Sequence, residues 1–68
     1  NQGYATEAAC AVRDYAFDVL HLPRLISLIR VGNLASQRVA EKVGMTLVEE
    51  FMRYGVPYWK FALNNQNA

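Results

Sequence analysis

Leu25-Ile26-Ser27-Leu28-Ile29-Arg30-Val31-Gly32-Asn33 is the stretch on which the fold turns. Its first seven residues are β-branched or otherwise apolar with hardly a break. That pattern fits a strand covered on both faces, as in a mainly parallel sheet. Gly32-Asn33 then reads as a turn, with Asn33 the N-cap of a helix from Leu34 to about Val43. Gly44 stands where a terminating glycine belongs.

Upstream, the apolar positions Ala5, Ala8, Ala9, Val12, Ala16, Val19 and Leu20 recur at three- and four-residue steps. They predict an amphipathic helix from Thr6 to about Leu20, with Glu7 in its first turn, where the dipole favours an acid. Pro23 cannot continue that helix, so its end is expected near His21. Downstream, Thr46 to Met52 and Tyr58 to Leu63 flank the breaker-rich Arg53-Tyr54-Gly55-Val56-Pro57 and read as a hairpin. The first arm is ambiguous, because Leu47, Val48, Phe51 and Met52 would also stripe one face of a helix. The order implies an α/β fold: helix, strand, helix and antiparallel hairpin on a mixed sheet. Residues 1–63 read as one unit and residues 64–68 as a polar tail, frayed at Asn64, Asn65, Gln66 and Asn67.

Composition bounds what such a unit can be. Of 68 residues, 53% are apolar, 19% charged and 12% aromatic, and the formal net charge is +1. This is too apolar for a disordered chain, and Arg13, Asp14 and Asp18 interrupt the longest apolar stretch well short of a membrane span. A near-neutral balance argues against a dedicated nucleic-acid binder. Cys10 and His21 are the only cysteine and histidine, so neither an internal disulfide nor an all-Cys/His zinc site can form, and no metal site is expected. A chain this short, lacking both staples, is expected to lean on a second copy or on further protein. No secretory signal opens it, and an unpaired thiol makes the cytoplasm the expected location.

Gln2-Gly3-Tyr4-Ala5-Thr6-Glu7 places a glycine and then a small residue just before a helix start. Amides at such a start point outward and suit a phosphate, and glycine permits close approach. An ordinary tight turn would look the same.

Taken together, the segments resemble the C-terminal half of the GNAT N-acetyltransferase superfamily. Its acetyl-CoA loop reads Q/R-x-x-G-x-G/A, and Gly3-Tyr4-Ala5 matches the last three positions, the first falling one residue before Asn1. The subgroup of ribosomal-protein N-terminal alanine and serine acetyltransferases follows its strand with N-x-x-S-x-R-V-x-E-K-x-G-F. Here Asn33, Ser36, Arg38, Val39, Glu41, Lys42 and Gly44 match, with Met45 in place of phenylalanine. The resemblance covers Gln2 to Leu63. It implies a C-terminal portion of an acetyltransferase, with upstream strands and helices absent and acetyl-CoA as co-substrate. Backbone around Gln2, Gly3, Tyr4, Ala5 and Thr6 would hold the CoA pyrophosphate. Asn33 would contact the pantetheine arm, and Ser36 would sit near the thiol. Many relatives carry a tyrosine acid four residues before the glycine, and here that position is Ala40. Ser36, through a water, is the substitute acid expected on that helix; a serine bonding locally to backbone is the plain alternative.

The implied reaction is direct transfer of acetyl to a neutral amine. A protein N-terminus is the first expectation, and polyamines and aminoglycosides are accepted elsewhere in the subgroup. The oxyanion donors, and often the base, come from a strand upstream of these residues, so the chain alone should be inactive. Glu49 and Glu50 alternate to opposite faces and read as edge charges, either of which could be a base. Cys10 reads as core packing and His21 as a helix-end residue. Phe51, Tyr54, Tyr58, Trp59 and Phe61 read as hairpin packing, part of a pocket wall, or an interface.

Two other readings compete. Gln37 to Thr46 resembles the first helix and turn of a helix-turn-helix with Leu47 to Tyr54 as recognition helix, although Glu49 and Glu50 give that helix the wrong sign for DNA. Alternatively, the chain is a folding unit that self-associates through an exposed strand edge.

Overall fold

The computed structural model describes residues 2–66. Helix α1 spans Gln2–Asp14 and runs on into a π-helical segment, Tyr15–Val19. Strand β1 is Arg24–Arg30, helix α2 is Leu34–Val43, and β2 (Thr46–Arg53) and β3 (Val56–Asn64) form the hairpin. No helix among the described residues is long and apolar enough to cross a membrane.

α1 begins four residues before the expected Thr6, because one glycine and one alanine in the first turn do not prevent helical geometry. Gly3 to Thr6 therefore lie inside the helix, and Glu7 falls beyond its first turn. The helical run stops where Pro23 requires. His21 adopts φ +54°, the left-handed conformation that ends a helix. The open carbonyls at this end are met by Asn65, whose Nδ2 donates to the oxygens of Phe17 (3.4 Å) and Leu22 (3.0 Å), while its backbone N–H donates to Pro23 (2.9 Å). Asn64 closes β3, so the frayed tail expected from Asn64 is corrected: residues 64 and 65 are ordered structure, while Asn67 and Ala68 lie outside the described residues.

β1 starts and ends one residue earlier than expected. It pairs antiparallel with β3 from Arg24↔Asn64 to Arg30↔Tyr58. β3 also pairs antiparallel with β2, giving the order β1-β3-β2. Every strand pairing among the described residues is antiparallel, so the sheet they form is antiparallel and not mixed. β1 is an edge strand covered on one face, not the doubly covered strand its apolarity suggested: Ile29 is buried, while Ile26 and Leu28 are 52% and 44% exposed. Ile29, Ala40 and Phe61 form the core, with Met45 and Trp59 against it, so α2 packs on the face that Ile29 and Phe61 share.

The ambiguous arm is a strand. Thr46–Arg53 pairs along most of β3, with a bulge at Val48, and this removes the recognition helix that a helix-turn-helix needs. Its turn is tighter than the five-residue breaker. Only Tyr54 and Gly55 connect the arms, both at positive φ (+51° and +74°), as a type I′ hairpin turn demands. Pro57 fits within β3 because it lies near the strand end, where its carbonyl accepts from Val31 N–H at 3.1 Å.

Candidate functional site

α2 is built as its sequence requires. Asn33 Oδ1 accepts from Ser36 N–H at 3.2 Å, and Gly44 closes the helix at φ +105° with its N–H donating to the Ala40 and Glu41 carbonyls. The clamp holding α1 against this helix is Arg13, whose Nη1 donates to the Val43 carbonyl at 2.9 Å while Nε pairs with Asp14 at 2.9 Å. The Asp14 hydrogen bond holds the Arg13 pKa above its ordinary value. Nothing in the local sequence marks this contact, because its partners lie thirty residues apart.

Two concavities result. The larger, about 870 Å³, runs along the open edge of β1 between the strand and the two helices. Ala5, Ala9 and Val12 of α1 and Val39 and Ala40 of α2 give it apolar walls. Asn33 and Ser36 bring polar groups to it from the start of α2, and Arg30 and Tyr58 from the sheet. The smaller, an open depression of about 500 Å³, is lined by Gly3, Tyr4, Thr6, Glu7 and Lys42.

The residues singled out in the sequence are thus divided. Ala5, Asn33 and Ser36 share the groove, and Gly3, Tyr4 and Thr6 share the depression, on adjoining sides of the same helical turn. Gln2 belongs to that turn, and its side chain lies outside what is described. Ser36 is half-buried; its backbone N–H donates to Asn33 Oδ1, and its hydroxyl makes no hydrogen bond among the described residues. Thr6 Oγ1 is fully buried and has no hydrogen-bond partner among the described residues. Ala40 is 5% exposed against Ile29 and Phe61, and it brings no proton donor to the groove.

The carboxylates of β2 point to opposite faces, as their alternation requires. Glu49 accepts from Lys60 Nζ at 3.4 Å and Glu50 from Trp59 Nε1 at 2.9 Å. Neither lines the groove. Phe51 and Tyr58 stack at 5.9 Å, while Tyr54 stands 93% exposed at the turn with the Arg53 guanidinium 5.7 Å from its ring. Among the described residues no group of three or more His, Cys, Asp or Glu side chains could hold a metal.

Residues 1–46 match the acetyltransferase (GNAT) domain family. YkkB of Bacillus subtilis (strain 168), an uncharacterized protein, is 44% identical over 55 residues, which are 81% of this chain and 32% of that protein. YnaD of the same organism, an uncharacterized N-acetyltransferase, is 40% identical over 57 residues, 84% of this chain and 33% of that protein. A GNAT-family acetyltransferase crystal structure from Bacillus anthracis superposes with a TM-score of 0.89 at 33% identity, covering 97% of this chain and 43% of that one. The chain therefore spans about a third of the length of the two B. subtilis relatives. Sequence and superposition agree over the stretch that builds the helix start, the strand and the capped second helix, and on that ground the chain belongs to the acetyltransferase (GNAT) family.

Proposed function

We propose that these residues form the acetyl-coenzyme A-binding part of an N-acetyltransferase that transfers acetyl from the thioester to a primary amine. The observation that carries this reading is the groove along β1, with a helix start at its side and a capped helix N-terminus on its wall. An apolar channel with a few polar groups suits a pantetheine arm, and the opening of α1 suits the diphosphate. Bound acetyl-coenzyme A supplies the activated thioester. In this reading backbone around Gln2, Gly3, Tyr4, Ala5 and Thr6 holds the diphosphate end, and Asn33, its Oδ1 engaged in capping, offers Nδ2 to the arm. Ser36 hands a proton to the departing thiolate through a water, since its hydroxyl makes no other hydrogen bond among the described residues.

The base and the oxyanion donors are assigned to protein beyond these 68 residues, consistent with the length of the relatives, and the chain alone is catalytically inactive. The first acceptor to try is a protein N-terminus, on the strength of the Asn33-to-Gly44 pattern, and the cytoplasm is the proposed location.

Calorimetric titration of the chain with coenzyme A tests the reading. Binding is expected, and Gly3→Glu abolishes it by placing a carboxylate at the diphosphate position. Binding that survives Gly3→Glu, or no binding at all, refutes it.

A further inference from the structure

We propose that the sheet face turned away from the helices docks the acceptor and selects an acidic polypeptide, whose carboxylates pair with Arg30 and Arg53; the inference rests on the function proposed above. Cross-strand register sets which side chains share that face, because directly opposite residues point the same way. Arg24, Arg30, Arg53 and Lys60 stand on it, with Glu49 as the only acid among the described residues. The face is thus formally +3 in a chain whose net charge is +1, which leaves the helix side acidic. Lys60 is held by Glu49 at 3.4 Å, whereas Arg24, Arg30 and Arg53 have no acid partner among the described residues. A second copy laid on this face would set like charges against like.

The face runs directly into the groove. Arg30, Tyr58 and Phe51 stand on one rung across β1, β3 and β2, and Arg30 and Tyr58 also line the groove beside Asn33 and Ser36. Phe51 and Tyr58 stack, giving a flat apolar bed for an extended backbone. Arg30 and Arg53 lie on the two outer strands, about 10 Å apart across the sheet, which about three extended residues span. A guanidinium fork at each end suits a carboxylate. Tyr54 adds a second observation. A type I′ turn favours asparagine or glycine at its left-handed position, so the hairpin gives no reason for a tyrosine there. Its ring stands 93% exposed, with the Arg53 guanidinium 5.7 Å from the centroid. Ile26 and Leu28, half-exposed on the same face, suit polypeptide side chains better than a sugar-phosphate backbone.

The test is fluorescence anisotropy of the 68-residue chain with short peptides labelled at the C-terminus, each beginning in alanine and continuing in acidic, neutral or basic residues, and with a single-stranded RNA. The acidic peptide should bind about tenfold more tightly than the neutral one and the basic peptide least, a preference that shrinks as salt rises. Arg30→Gln and Arg53→Gln should each weaken binding of the acidic peptide about threefold, the scale of one exposed ion pair. Arg38→Gln, which removes an exposed charge from α2, should leave the preference unchanged. Equal affinity for the three peptides, an equal loss with Arg38→Gln, or tighter binding of the RNA overturns the inference, while coenzyme A binding by the same chain keeps the function proposed above standing. A chain that does not bind coenzyme A overturns both.

Discussion

Gly44 shows how a single residue carries information at two levels. Its φ of +105° is reached without strain only by glycine, and a Cβ there would lie at an ordinary 3.7 Å from Leu63 Cδ1, so the conformation and not the space demands it. Gly44→Ala is expected to cost about 1–2 kcal/mol, measured by urea denaturation. Asn33 was legible for the same kind of reason, since its side chain caps only the next three residues. Removing that cap in Asn33→Ala should cost about 1 kcal/mol and weaken coenzyme A binding together with stability. Arg13 was not legible. Its bond to the Val43 carbonyl joins two helices, and Arg13→Met, which keeps much of the aliphatic stem, should lower stability by about 1–2 kcal/mol. Reduced protection of the Val43 and Gly44 region in hydrogen exchange would mark the loss as local to that joint.

At the scale of elements, legibility followed the range of the forces. α2 matches its predicted limits, because cap, periodicity and terminating glycine all act within one turn. The start of α1 moved from Thr6 to Gln2 because propensity in a first turn is a weak force. For Thr46–Arg53, periodicity alone left helix and strand in competition, and pairing with β3 decided between them. Phe61 is the joint of this sheet, 1% exposed and opposite Ser27 on one side and Leu47 on the other. Phe61→Ala should therefore cost about 3–5 kcal/mol, enough to unfold so small a chain, read as loss of the cooperative thermal transition.

The whole molecule is flat, 36 × 27 × 16 Å, with a Cα radius of gyration of 12.4 Å where a compact chain of this length would give about 11 Å. Among the described residues the buried apolar ones are Ala16, Ile29, Ala40, Val43, Phe61 and Ala62, half of them alanine. With the outer edge of β1 unpaired and Ile26 and Leu28 exposed on its uncovered face, the isolated chain is expected to associate as concentration rises. Light scattering after size exclusion should show masses above 7.7 kDa, reduced toward the monomer by Leu28→Lys; a monomer at all micromolar concentrations would contradict this. The sequence by itself determined the strand-turn-helix and the caps of α2, because those features depend on neighbours along the chain. Only the tertiary structure decided that β1 is covered on one face alone, that Asn65 closes the end of the first helix, and that Lys42 and Thr6 line one depression. Each of these depends on which distant segments share a surface, and that is settled by burial of the few large side chains around Phe61, which local pattern does not encode.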